Sequence, residues 1–175
     1  MSELNPNFVL GQLFGDNRAE WPSANFKDLF VRPTYLGKLE VMRPCFLVGG
    51  RGTGKTTALQ SLRYDSMLER IEGEGQTFAD QEYLGVLVRM NKNRVRAFSG
   101  SGVGEERWSK LFAHYFNLIV CSELANLTSW LEVRLGLKLP EESLSEISNA
   151  LGLDECGTLD QLKSSIKKAI SSLCN

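Results

Sequence analysis

Residues 49–56 constrain this chain more than any other part of its sequence. They match the pattern G-x-x-x-x-G-K-[ST] at every fixed position, and this pattern is typical of a loop that binds the phosphates of a nucleotide. An apolar run precedes the loop and a helical pattern begins at Lys55, which is the context that the pattern requires. We therefore predict that this loop binds a nucleoside triphosphate, namely ATP with Mg²⁺.

Each residue type in the loop has a chemical task. Glycines allow backbone conformations in which successive N–H groups point towards phosphate oxygens, and the amino end of the following helix adds positive potential. Lys55 brings its charge to the β- and γ-phosphates and is the predicted catalytic residue, whereas Thr56 offers a hydroxyl to Mg²⁺. Thr57 is expected to bond near the α-phosphate. The predicted nucleotide-binding residues of the loop are Gly49, Gly50, Arg51, Gly52, Thr53, Gly54, Lys55, Thr56 and Thr57.

Hydrophobic patterning predicts an α/β domain with few strands. Residues 44–48 and 83–88 are short apolar runs that indicate two buried strands. Two strands are few for this class of fold. The predicted helices cover residues 55–71, 105–135, 141–151 and 159–173, and the last begins with a capping box of Thr158 and Gln161.

The loop alone does not identify the class of NTPase. A GTPase would carry D-x-x-G and then N-K-x-D, but residues 154–157 and 91–94 imitate these motifs in the wrong order, with Arg94 replacing the aspartate. A small-molecule kinase usually has an acidic group at the end of its second strand, where this chain has Arg-Met-Asn at 89–91. A regulatory ATPase needs an apolar strand that ends in Asp-Glu. Its only imitation, residues 151–155, is better explained as surface carboxylates after a helix.

Several segments resemble bacterial ATPases described as origin-recognition-complex-like AAA proteins. The resemblance covers about residues 15–135, and the phosphate loop is its one motif of known chemical role. The segments that carry it are Asn-Arg-Ala-Glu-Trp-Pro at 17–22, Phe-Lys-Asp-Leu-Phe-Val at 26–31, residues 43–57 with the loop, Met-Asn-Lys-Asn-Arg-Val-Arg-Ala-Phe at 90–98, and residues 105–115.

The resemblance implies an α/β P-loop NTPase fold of the AAA/ASCE-like type, with an incomplete sheet and a helix-rich carboxyl-terminal half. In that family the Asp-Glu strand follows the helices after the second strand. Residues 41–175 are then expected to be the N-terminal portion of an ATPase domain that is truncated before the Walker B strand, with residues 1–40 as an irregular or helical lead-in. The resemblance also implies that Phe30 and Val31 contact adenine; packing on the domain core is the alternative.

The function expected from the resemblance is that of an AAA-type regulatory ATPase, which hydrolyses ATP when it is full length. The alternatives are a nucleotide-gated scaffold or switch without hydrolysis and, with less support, a small-molecule kinase. DNA or protein partners and a homo-oligomer are left open. The basic residues Arg89, Lys92, Arg94 and Arg96 could contact DNA, a substrate or the nucleotide of a neighbouring subunit, or could belong to a solvated loop.

Charge and composition restrict the other function classes. The net charge of −1 does not predict nucleic-acid binding over the whole surface. No apolar run is long enough to span a bilayer and residues 1–7 lack a signal peptide, so we expect a cytoplasmic protein without a membrane partner. The four cysteines and the single histidine, His114, lack metal-ligand spacing. We expect the cysteines to be reduced thiols and His114 to be a half-buried helix residue.

Overall fold

A computed structural model describes residues 30–41, 43–73, 77, 80–100, 102 and 104–173, and the chain divides into two compact units, Met1–Leu87 and Val88–Asn175. Most of the predicted lead-in, and the resembling segments before residue 30, lie outside the described residues. Seven helices form within the described ranges. They are α1 Leu36–Leu39, α2 Lys55–Gln60, α3 Tyr64–Gly73, α4 Lys92–Arg96, α5 Glu105–Leu135, α6 Glu141–Ala150 and α7 Leu159–Leu173.

In the described residues of the first unit, the core contains apolar side chains from α1, α2 and α3. Met67 and Ile71 of α3 are one helical turn apart and are both almost fully buried. Leu36 of α1 and Ala58 of α2 are buried as well. The short helices α1 and α2 gain stability chiefly from this burial, because isolated helices of such length are unstable in water.

The second unit is helical, and α5 packs against α7 in it. Its core contains Leu118 of α5, together with Leu144, Cys156, Leu162 and Ile166. Glu105 and Glu106 lie in the first turn of α5, where negative charge favours a helix start, and Gly136 ends the helix with a left-handed φ of 69°. The bounds predicted for α5 and α7 are confirmed, and α6 is one residue shorter than predicted.

The predicted capping box at the start of α7 is present with one difference. The Gln161 N–H donates to Thr158 Oγ1 at 3.3 Å, as expected for such a box. The reciprocal bond runs from the Gly157 N–H to Gln161 Oε1 at 3.0 Å, one residue earlier than the usual donor. The first bond satisfies an amide group that a helix start leaves without a partner, and the second fixes the residue that precedes the cap.

The predicted α/β fold is wrong, since the described residues form neither a strand nor a sheet. Residues 44–48 lack regular secondary structure, and the side chains of Phe46 and Val48 are 94% and 89% exposed, so this run is not a buried strand. Residues 83–88 are half-buried and contribute one isolated parallel bridge, between Arg63 and Gly85. An apolar run favours extended backbone, but a strand requires a neighbour that pairs with its N–H and C=O groups along its length.

The single helix predicted over residues 55–71 is also wrong, because residues 61–63 separate α2 from α3. The buried Ser61 hydroxyl donates to the Ala58 carbonyl at 2.7 Å. The Tyr64 N–H donates to the Gly85 carbonyl at 2.8 Å instead of continuing the helical ladder. Because the Tyr64 N–H bonds to a residue distant in sequence, α2 does not continue through this position and a separate helix, α3, begins at Tyr64.

We expect Gly85→Ala to destabilise the first unit by about 1–3 kcal/mol, the usual cost of forcing extra atoms into a packed site. A Cβ at Gly85 would lie 2.7 Å from the Leu62 carbonyl carbon and closer still to its oxygen, both of them backbone atoms. Urea unfolding followed by circular dichroism measures the effect. The control is Gly37→Ala in α1, where a Cβ meets no atom within 4 Å. Equal stability of the two variants would contradict this prediction.

Candidate functional site

The phosphate-loop candidate is an exposed turn that leads directly into α2. Gly52 and Gly54 have φ angles of 81° and 74°, which lie in the left-handed region that favours glycine. Gly54 is the residue immediately before the first residue of α2, Lys55. The glycines at these two positions therefore allow the chain to reverse and to start a helix within a few residues.

The Lys55 side chain folds back over this turn. Its Nζ donates to the carbonyl oxygen of Gly49 at 2.7 Å, to the carbonyl oxygen of Gly50, and to Thr53 Oγ1 at 3.1 Å. Thr53 Oγ1 in turn donates to the Gly50 carbonyl at 2.9 Å. All these acceptors are neutral oxygens, so an anionic phosphate that replaced them would add the attraction between opposite charges to these hydrogen bonds.

Space within the turn is limited on one side and open on the other. A Cβ at Gly49 would lie 2.9 Å from Thr53 Oγ1, so the Thr53 side chain occupies the volume beside that glycine. A Cβ at Gly52 or Gly54 would meet no atom within 4 Å. The left-handed backbone at positions 52 and 54, and not a lack of space, therefore favours glycine there. The open space beside both residues leaves that side of the turn accessible to a ligand.

The remaining predicted site residues differ in exposure. Arg51 and Thr56 are exposed, and Thr57 is half-buried in the first turn of α2. Phe30 is half-buried, whereas Val31 is 86% exposed, so the alternative that Val31 packs on the core does not hold. The structure thus joins Gly49, Gly50, Thr53 and Lys55 in one hydrogen-bonded group and leaves Thr56 accessible beside it.

A charged cluster around Glu40 was not predicted from the sequence. The Glu40 carboxylate accepts hydrogen bonds from Arg32 Nη2 and from Arg70 Nη2, each at 3.1 Å. Burial raises the pKa of Tyr83, and the nearby Glu40 carboxylate raises it further. Arg70 lies 30 residues from Glu40, so sequence spacing carried no signal for this contact. The cluster links the segment that contains Phe30 to α3.

The Asp-Glu pair that imitates a catalytic strand end is a surface feature. Asp154 and Glu155 are both exposed and follow α6, and Glu155 Oε1 accepts a hydrogen bond from the Ser145 hydroxyl at 2.9 Å. The interpretation as surface carboxylates after a helix is confirmed. Within the described part of the chain, no group of three His, Cys, Asp or Glu side chains is arranged to hold a metal ion.

His114 and the three described cysteines are not part of the phosphate-loop turn. His114 is exposed on α5, so its expected half-buried position is wrong. Cys45, Cys121 and Cys156 are free thiols, and burial raises the pKa of Cys121. The helices of the described ranges all lack the combination of length and apolar character that crossing a bilayer demands.

Comparison with models of protein families gives a match over most of the chain. A family model described as ORC-CDC6-like matches residues 12–175, a range that includes the turn, Lys55 and all seven helices. Neither the curated proteins nor the solved structures contain a match.

Proposed function

The chain belongs to the ORC-CDC6-like family, and we propose that it binds ATP with Mg²⁺ through residues 49–56, as part of an AAA-type regulatory ATPase. Family membership supports the proposal of an AAA-type regulatory ATPase. The geometry of the turn supports the proposal that the ligand is ATP with Mg²⁺. DNA or partner proteins that respond to the bound nucleotide belong to the same proposal, since such switches convert nucleotide state into altered contacts.

The observation that carries this proposal is the position of the Lys55 ammonium over a turn with two left-handed glycines. A lysine ammonium has three donors, and here they are directed to neutral oxygens of the turn itself. A triphosphate offers these donors charged oxygens in place of neutral ones. The exchange strengthens each bond, because hydrogen bonds between two ionised groups are stronger than those to neutral acceptors.

The residues of the turn also fit a magnesium-bound nucleotide. Mg²⁺ prefers oxygen ligands, and the exposed Thr56 hydroxyl lies in the first turn of α2, next to Lys55. Mg²⁺ bound with the nucleotide would neutralise part of the phosphate charge. Thr56 would hold the metal, Lys55 would hold the β- and γ-phosphates, and the backbone of the glycine turn would approach the phosphate oxygens closely.

Equilibrium titration with a fluorescent ATP analogue tests the proposal directly. Unlabelled ATP is expected to displace the analogue, and inorganic tripolyphosphate is expected to displace it more weakly because it lacks a base. Competition by GTP measures the base preference that the family resemblance implies. Phosphate release from the same samples tests hydrolysis separately from binding. If the analogue does not bind, or if neither ATP nor tripolyphosphate displaces it, the proposed function is wrong.

We expect Thr56→Val to remove most of the dependence of ATP affinity on Mg²⁺. In the unmodified chain, omission of Mg²⁺ should weaken ATP binding by about tenfold, the equivalent of one strong hydrogen-bonding contact. In Thr56→Val the affinities with and without Mg²⁺ should nearly coincide, since valine has the shape of threonine without the hydroxyl. Thr56→Ser keeps the hydroxyl and should keep the dependence. A Thr56→Val variant with an unchanged Mg²⁺ response would argue against this metal ligand.

A further inference from the structure

The second unit contains a cavity that the nucleotide proposal does not use. Its volume is about 300 Å³, and it lies between α4 with the turn after it and the first two turns of α5. One wall consists of α5 residues at helical spacing, so that they share one face. The lining residues are Val95, Phe98, Glu105, Trp108, Ser109 and Phe112.

Aromatic side chains make this open cavity apolar. Phe98 is 9% exposed, and its ring contacts the rings of Phe112 and Tyr115, with centroids 5.8 Å and 4.8 Å away. The Trp108 indole N–H donates to the Gly100 carbonyl at 3.4 Å, which orients the indole ring beside the cavity. Among the described lining residues, Glu105 and Ser109 have polar side chains besides the Trp108 indole, and both are exposed.

Basic residues lie on α4, the helix at one side of this apolar centre. Lys92, Arg94 and Arg96 all belong to α4, the helix that contributes Val95 to the wall, and all three are exposed. Among the nearby charges on α5, Glu106 is paired with Lys110 at 2.7 Å, which leaves Glu105 as the carboxylate at the cavity edge. Positive charge therefore dominates the α4 side, and an acidic partner would be complementary to it.

We propose that this cavity binds one large apolar side chain of a partner polypeptide whose flanking residues are acidic. The apolar side chain fills the space between Val95, Trp108 and Phe112. The acidic residues beside it face the cations of α4. This arrangement is that of a central apolar anchor with a charged rim, which is common in protein–protein interfaces.

The size and the lining of the cavity favour a peptide over two other ligands. Its volume equals the lower limit of about 300 Å³ for small-molecule pockets, so it suits a single side chain better than a larger free ligand. A nucleobase inserted there would lose hydrogen bonds at its polar edges, because the described lining residues offer few polar groups. An apolar side chain loses no hydrogen bonds on entering.

Fluorescence anisotropy with short labelled peptides tests this surface in the full chain. The probe has one central phenylalanine flanked on both sides by aspartates. A peptide with alanine at the centre should bind about tenfold more weakly, because it buries much less apolar area. A peptide with lysines in place of the aspartates should not bind measurably. Equal binding of the three peptides would overturn the proposal.

Two variants at exposed positions locate the site without threatening the fold. Ser109→Trp fills the cavity and should weaken binding of the phenylalanine peptide by about tenfold or more. The double variant Arg94→Glu with Arg96→Glu should weaken it by about tenfold and make it less sensitive to salt. The matched controls on α7 are Ser164→Trp and the pair Lys167→Glu with Lys168→Glu, all at exposed positions. These controls should change the affinity by less than about twofold.

Two results would contradict the peptide proposal. Unchanged affinity in Ser109→Trp would show that the peptide does not enter the cavity. The rival ligand class is nucleic acid, and the binding of a single-stranded oligothymidylate to the same variants tests it. If the oligothymidylate binds more tightly than the acidic peptide, and if the same variants abolish its binding, the surface binds nucleic acid instead. Neither result depends on whether the chain binds ATP.

Discussion

Lys55→Ala is expected to weaken the binding of ATP with Mg²⁺ by about tenfold to a hundredfold, because each hydrogen bond between charged groups contributes about 1.5–3 kcal/mol. The ammonium of Lys55 is the cation that the structure holds directly over the turn, in contact with Gly49, Gly50 and Thr53. Isothermal titration with ATP measures the loss. Overall folding should change little, since Lys55 lies at the surface end of α2 and its partners are exposed loop atoms.

Arg51→Ala is the matched control for this effect. Arg51 lies in the same turn, is exposed, and occupies a variable position of the motif. Both variants remove one positive charge near the ligand, so a general electrostatic effect would weaken binding equally. We expect Arg51→Ala to weaken it by less than about threefold at physiological salt, where exposed charges are well screened. Equal losses in the two variants, or no loss in Lys55→Ala, would contradict the assignment of Lys55 as the phosphate ligand.

Leu118→Ala is expected to destabilise the second unit by about 2–5 kcal/mol, the range observed for cavities made in well-packed cores. Leu118 is fully buried on α5 and belongs to the cluster that includes Leu144, Leu162 and Ile166. Because α5 packs against α7, the cavity would open at the main helix–helix contact of this unit. Urea unfolding followed by far-ultraviolet circular dichroism measures the change in the free energy of unfolding.

Val133→Ala on the same helix is the control for Leu118→Ala. Val133 is 88% exposed, so shortening it removes little buried surface, and alanine has the higher helix propensity. The free energy of unfolding should stay within about 0.5 kcal/mol of that of the unmodified chain. Comparable destabilisation by the two substitutions would mean that α5 is not packed as the structure shows.

Within the described part of the second unit, α5, α6 and α7 were predictable because their signals are local, whereas α4 was not predicted. The apolar pattern from Glu105 to Leu135 repeats over many turns, and Gly136 can adopt the left-handed conformation that ends a helix. The cap of α7 depends on Thr158, Gln161 and Gly157, which are neighbours in sequence. Such features involve contacts within a few residues, so a single sequence contains the information that they need.

The candidate site was predictable in part for the same reason. The positive φ angles at Gly52 and Gly54 lie where the phosphate-loop pattern places glycine. The pattern did not predict that Lys55 donates to the carbonyl oxygens of its own turn. It also gave no sign of the Glu40 cluster, whose arginines are distant in sequence from one another. Those contacts depend on how separate segments pack.

By itself, the sequence determined the glycine turn, the lysine at its helix start, and the length and ends of α5 and α7, because each of these depends on the conformational preferences of neighbouring residues. Only the tertiary structure decided that Phe46 and Val48 stay exposed, that the Tyr64 N–H at the start of α3 donates to the Gly85 carbonyl, and that Phe98 packs on α5 beside a cavity. The physical reason is that burial and backbone pairing need partners from elsewhere in the chain, and an apolar run is compatible with several of them.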